Sequence, residues 1–103
     1  MTATEVVANL AKLENWHLCG DGANLAIEKT FAFKDYASTM AFVNALAWRA
    51  QACDHHPELL LTFDRCVVRY RTHDVGGLSR TDFDSAERAD ALVASMVFSG
   101  SQP

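Results

Sequence analysis

Asp54-His55-His56-Pro57, the Thr72-His73 pair and Asp82 gather three imidazoles and two carboxylates at the ends of predicted elements. Histidine is the side chain whose ordinary pKa lies near neutral pH, so a group of this kind is suited to giving and taking protons. A single histidine is usually a satisfied structural residue. Two adjacent ones beside a proline cannot both be buried in one apolar face. Pro57 disfavours helical geometry at His56, so a helix arriving at this point must stop and the two rings must diverge. His73 is expected at the end of a strand and Asp82 in the first turn of a helix, places from which side chains can converge on one cleft. The competing reading of the same residues is a set of surface histidines without chemistry.

The elements that would carry these residues follow from hydrophobic spacing. Val6, Val7, Leu10 and Leu13 predict a short helix from Thr4 to Leu13, with Thr4 as its cap. Trp16–Cys19 and Leu25–Phe33 flank Gly20-Asp21-Gly22, a turn signal between alternating stretches, so they predict a hairpin. Asp35 is read as a cap for the longest helix, which runs to about Cys53 and buries Met40, Val43, Ala47 and Ala50, with Phe42 and Leu46 widening the stripe. Leu59–Phe63 and Cys66–Thr72 form a second strand pair around Asp64. Ser79-Arg80-Thr81-Asp82 resembles a capping box ahead of a last helix with Phe83, Ala86, Ala89 or Asp90, Val93 and Val97 on one side. The order α-β-β-α-β-β-α predicts an α+β fold, a single four-stranded antiparallel sheet with three helices on one face. The other face and the sheet edges are left for pairing with a second copy. Trp16, Trp48 and Phe42 are assigned to packing or to such an interface.

Composition narrows the function classes. The chain has 103 residues, enough for one domain (1–103) with a genuine core, and pairing with a second copy would bury more surface. Half its residues are hydrophobic, 21% are charged and the formal net charge is -4, a balance that favours neither disorder nor direct nucleic-acid binding. Cys19, Cys53 and Cys66 are odd in number and lack metal-type spacing, so they are read as reduced thiols and small buried hydrophobes in a cytoplasmic setting. Glu5, Lys12 and Glu14 interrupt the early apolar residues, and no stretch approaches the ~20 apolar residues a membrane crossing needs. His17 is read as an exposed polar residue on an early strand.

The run Asp54-His55-His56-Pro57, Phe63 six residues past the proline, Thr72-His73, and Gly77-Leu78-Ser79 followed by Asp82 resembles the pterin-4a-carbinolamine dehydratases. The resemblance also takes in Asn15-Trp16 and Phe31 to Tyr36, and so covers nearly the whole chain. It implies an α+β subunit forming a homodimer or homotetramer, using neither metal nor organic cofactor. The implied reaction removes water from a 4a-hydroxytetrahydropterin to give the quinonoid dihydropterin, a step of tetrahydrobiopterin recycling. By this resemblance His55 and His73 are the acid and base candidates, His56 holds and polarises the pterin, and Asp82 supports the site from behind. The family's pterin contacts also map onto Asp54, Arg71, Thr72 and Asp74.

Three positions depart from the family's pattern. Gln51 stands where an acid is usual one turn before the first histidine, Leu59 where a tryptophan is frequent, and Thr81 where a basic residue commonly precedes the aspartate. These departures favour an alternative, a non-catalytic relative acting as a dimerising partner or assembly factor. A third possibility, zinc held by three histidines, is disfavoured because adjacent histidines on a turn are awkward joint ligands of one tetrahedral ion.

Overall fold

The computed structural model describes residues 1–72 and 77–96. Helix α1 (Ala3–Leu10) is followed by strands β1 (His17–Cys19) and β2 (Ala26–Ala32), then helix α2 (Tyr36–Cys53). Strands β3 (Glu58–Leu61) and β4 (Arg65–Tyr70) come next, and helix α3 (Arg80–Ser95) closes the order. The four strands form one antiparallel sheet in the order β1-β2-β4-β3, so the α+β expectation holds. Expected Val97 lies outside the described residues.

Alternation along the strands decides what the helices cover. Ile27, Phe31, Cys66, Val68 and Tyr70 point to one face and are buried against Phe42 and Leu46 of α2 and Phe83, Ala86, Ala89 and Leu92 of α3. The opposite face carries Glu28, Arg69 and Glu58 in one row, with Arg69 donating twice to Glu28. Phe42 is the hub, its ring centroid 4.9 Å from Phe31 and 5.2 Å from Phe33.

Several expectations need correction. The cap of α1 is Thr2, whose hydroxyl accepts from the Glu5 amide while Glu5 accepts from the Thr2 amide; the carboxylate three residues on selects Thr2 over Thr4. The buried stripe of α2 is Thr39, Phe42, Leu46 and Ala50, and Ala47 is exposed. Thr39 enters the core because its hydroxyl is satisfied internally, close to the carbonyls of both Asp35 and Phe63. The first hairpin is not tight, since a 3-10 turn at Gly22–Asn24 lengthens its loop. Only Cys66 of the three free thiols is fully buried; Cys19 is half-buried and Cys53 is exposed on the last turn of α2. Burial pushes the Cys66 thiol up to about 11, so it stays protonated. Trp16 and Phe42 are core residues, whereas Trp48 is 76% exposed. His17 is exposed on β1.

Candidate active site

Helix α2 ends because Asp54 adopts a left-handed conformation (φ 51, ψ 40), with its amide donating to the Ala50 and Gln51 carbonyls. That reversal turns the chain off the helix axis. The His55 amide still reaches the Ala50 carbonyl at 3.1 Å, so the first histidine stays against the helix while His56 faces solvent.

The His55 side chain is 13% exposed and points inward to Asp82, its Nε2 lying 2.7 Å from Oδ1. Its ring stacks on Tyr70 of β4, with centroids 5.7 Å apart and planes 13° from parallel. Burial pushes the Tyr70 phenol above its ordinary value, so that neighbour is neutral around physiological pH.

Asp82 has no exposure, and its place follows from the start of α3. Ser79 is the N-cap, and the Asp82 carboxylate reaches back to accept from the Ser79 amide at 2.9 Å. The same Oδ2 accepts from the Thr72 hydroxyl at 2.8 Å. Thr72 has a single proton to give, so the Ser79 hydroxyl, 2.7 Å away, donates to Thr72. A buried carboxylate is costly unless its lone pairs are filled, and here a backbone amide, a hydroxyl and an imidazole fill them. With Nε2–H committed to Asp82, Nδ1 of His55 is the nitrogen left to take or give a proton. Such an arrangement fixes tautomer and ring orientation, as general acid-base chemistry requires.

The structure therefore brings His55, Thr72 and Asp82 together. Arg71 is directed elsewhere, since alternation puts it on the opposite face of the sheet, where its guanidinium meets Glu58 at 3.2 Å. Its Nε is buried without a partner among the described residues. Asp54 is exposed. His73 and Asp74 lie outside the described residues. Tyr70 and Ser79 were not among the site residues expected from the sequence. Ser79 had a signal, the capping box, but nothing in one dimension announces that Tyr70 lies under His55. Among the described residues no three of His, Cys, Asp and Glu come together in a way that could hold a metal ion, and no helix is long and apolar enough to cross a membrane.

The chain and its fold have counterparts among known proteins. The family model described as pterin 4 alpha carbinolamine dehydratase matches residues 1–92. A provisionally named pterin-4-alpha-carbinolamine dehydratase of Paracidovorax citrulli is 55% identical over 94 residues, 91% of this chain and 81% of that protein. A similarly named protein of Stenotrophomonas maltophilia is 54% identical over 83 residues, 81% of this chain and 70% of that one. Among solved structures, a transcriptional coactivator/pterin dehydratase from Brucella melitensis superposes with a TM-score of 0.83 at 29% identity, covering 89% of this chain and 96% of that one. A pterin dehydratase-like protein identified as a RuBisCO assembly factor in the alpha-carboxysome superposes with a TM-score of 0.68 at 26% identity, covering 81% and 94%.

Proposed function

Because the chain belongs to the pterin 4 alpha carbinolamine dehydratase family, we propose that it removes water from a 4a-hydroxytetrahydropterin by histidine acid-base catalysis, serving tetrahydrobiopterin recycling. The reaction breaks the bond between the ring carbon and its hydroxyl, delivers a proton to the departing oxygen and removes one from a ring nitrogen, leaving water and quinonoid dihydropterin. Hydroxide is a poor leaving group because water is so weak an acid, with a pKa of about 15.7, and a positioned proton donor contributes about 100- to 10,000-fold.

The observation that carries this reading is the contact of His55 with a fully buried Asp82 whose other oxygen is already filled. In the proposal His55 exchanges one proton through Nδ1 and His73 the other. His56, exposed next to His55, holds the pterin together with Asp54, Thr72 and Asp74, and Arg71 joins them only by leaving Glu58 and the opposite face of the sheet. Thr72 acts in part through Asp82, to which its hydroxyl proton is committed, and the unpartnered Nε of Arg71 is a donor in want of an acceptor. The test is stopped-flow absorbance of a freshly generated 4a-hydroxytetrahydropterin with and without the protein. Faster decay with the protein is expected; decay at the spontaneous rate would overturn the assignment.

A second copy of the chain is the proposed partner. β3 is an edge strand, and its Leu59, Leu60 and Leu61, with Phe63 just beyond, are all exposed. An uncovered apolar edge invites pairing, so we expect a homodimer through β3, or a homotetramer if the dimers pair again. The same edge suits the alternative, a non-catalytic assembly partner, which the likeness to the RuBisCO assembly factor favours. Under that alternative the stopped-flow trace shows no acceleration while the chain still pairs.

A further inference from the structure

A second group of polar side chains borders His55, starting one turn along α3 from Asp82. A crevice between α2 and α3 is lined by Leu46, Arg49, Ala50 and Cys53 from one helix and by Ser85 and Arg88 from the other, with Tyr70 and the His55 ring completing its wall. Among the described residues neither guanidinium is in an ion pair or a hydrogen bond. Asp84 and Glu87 share a separate shallow groove with Arg88, yet neither forms an ion pair with it. Ser85 is 6% exposed and Tyr70 2% exposed, and neither hydroxyl has a hydrogen-bond partner among the described residues. Neither oxygen is sealed from solvent, so each hydroxyl is free to donate into the crevice, and two like charges on one crevice repel. The enclosed space is about 10 Å³, room for roughly one oxygen atom.

We propose that this crevice binds a small oxyanion of the phosphate class. One oxygen enters between the Ser85 and Tyr70 hydroxyls, and the others are clasped at the mouth by Arg49 and Arg88. Donors predominate around the crevice, and guanidinium forks match phosphate geometry in two-point hydrogen bonds. An acceptor there completes both hydroxyls and relieves the repulsion between the arginines. The anion lies against the His55 ring, so the crevice adds a negative charge next to the candidate proton-transfer residue, whereas Gln51, one turn earlier in α2, supplies none. The phosphate has two possible sources, a free anion in solution or a phosphate carried on the side chain of a bound pterin. Only the second rests on the dehydratase reading.

The experiment is a titration of the full chain with inorganic phosphate at constant ionic strength. It is followed through the backbone amide of Ser85 and the Nε–H signals of Arg49 and Arg88, with chloride as the control. Saturable phosphate-specific shifts are expected, weakened about tenfold or more in the exposed double variant Arg49→Gln/Arg88→Gln, in line with the worth of hydrogen bonds to charged groups. Ser85→Ala should weaken binding by a smaller factor. Shifts no larger than those from chloride, or an unchanged titration in the double variant, would overturn the site. A reduced pterin with a phosphorylated side chain is then compared with its unphosphorylated counterpart. If only the phosphorylated compound displaces phosphate, the anion belongs to the pterin; if neither does while phosphate still binds, the site takes the free anion. Loss of dehydratase activity would leave the first titration standing.

Discussion

Two aspartates on α3, about two turns apart, show how one helix can present the same side chain to different ends. Asp82 is fully buried and meets His55, Thr72 and the Ser79 amide. Asp90 is 30% exposed and meets the Lys29 ammonium at 2.7 Å and the Trp16 indole N–H at 3.0 Å. The partner sets the role. Lysine keeps its charge throughout the physiological range, so Lys29–Asp90–Trp16 acts as a fastener, tying β2 and the segment before β1 to α3. Histidine changes charge near neutrality, so the same carboxylate becomes part of a group able to move a proton. The difference teaches that burial and hydrogen bonding alone do not separate a fastener from a candidate site; the chemistry of the partner side chain does.

That contrast can be broken most sharply at His55. His55→Ala should cut the dehydration rate by about 100- to 10,000-fold with an intact circular-dichroism spectrum; a retained rate would place the chemistry elsewhere. Next comes Asp82→Ala, which leaves Thr72, the Ser79 amide and His55 without their acceptor and should cost about 3–5 kcal/mol in urea unfolding, as loss of one partner of a buried pair does. Asp82→Asn should keep more of the stability and still lose rate, separating support of the fold from support of the imidazole. Asp90→Ala should cost only about 1 kcal/mol, since its pair is partly solvated, and should leave the rate unchanged. A rate loss at Asp90 matching that at Asp82 would erase the distinction. Gln51→Glu is expected to raise the rate or shift its pH profile, and an unchanged profile would show that position 51 is uncoupled from the chemistry.

The smallest effect is expected at a third aspartate, Asp35, the exposed cap of α2. The neighbouring Lys34, and the Ser38 amide it accepts from, hold its carboxyl down to about 2 from an ordinary 3.8. A folded-state value below the unfolded one means that its contribution is complete above about pH 4 and is lost as pH falls toward 2. Asp35→Ala should therefore lower the stability-versus-pH curve near neutrality and flatten its acid limb, with the variant and the parent converging toward pH 2.

Legibility from sequence divides along physical lines. The four strands and the limits of α2 were readable because alternation, the Asp35 cap and Pro57 are local signals. The inward face of α2 was read in part: Phe42, Leu46 and Ala50 are buried as expected, but Ala47 is exposed because alanines populate nearly every side of that helix, and the core member Thr39 is polar until its two carbonyl neighbours are seen. At the candidate site, the types and spacing of His55 and Asp82 singled them out. The bond from Ser79 to Asp82 was legible as a capping box, whereas the bond from Thr72, the Tyr70 ring under His55 and the lack of partners for Arg49 and Arg88 among the described residues depend on packing between separate elements. No window of sequence could show them.

Helix α2 is held at both ends, by Asp35 at one and by the left-handed Asp54 at the other, with 18 residues between. It thereby works as a ruler. Inserting or deleting one residue in its middle would swing its last turn by about 100° and slide it by about 1.5 Å. The sheet would still close, but His55 would be carried away from Asp82, so the meeting of the two depends on the length of this helix as much as on their identity.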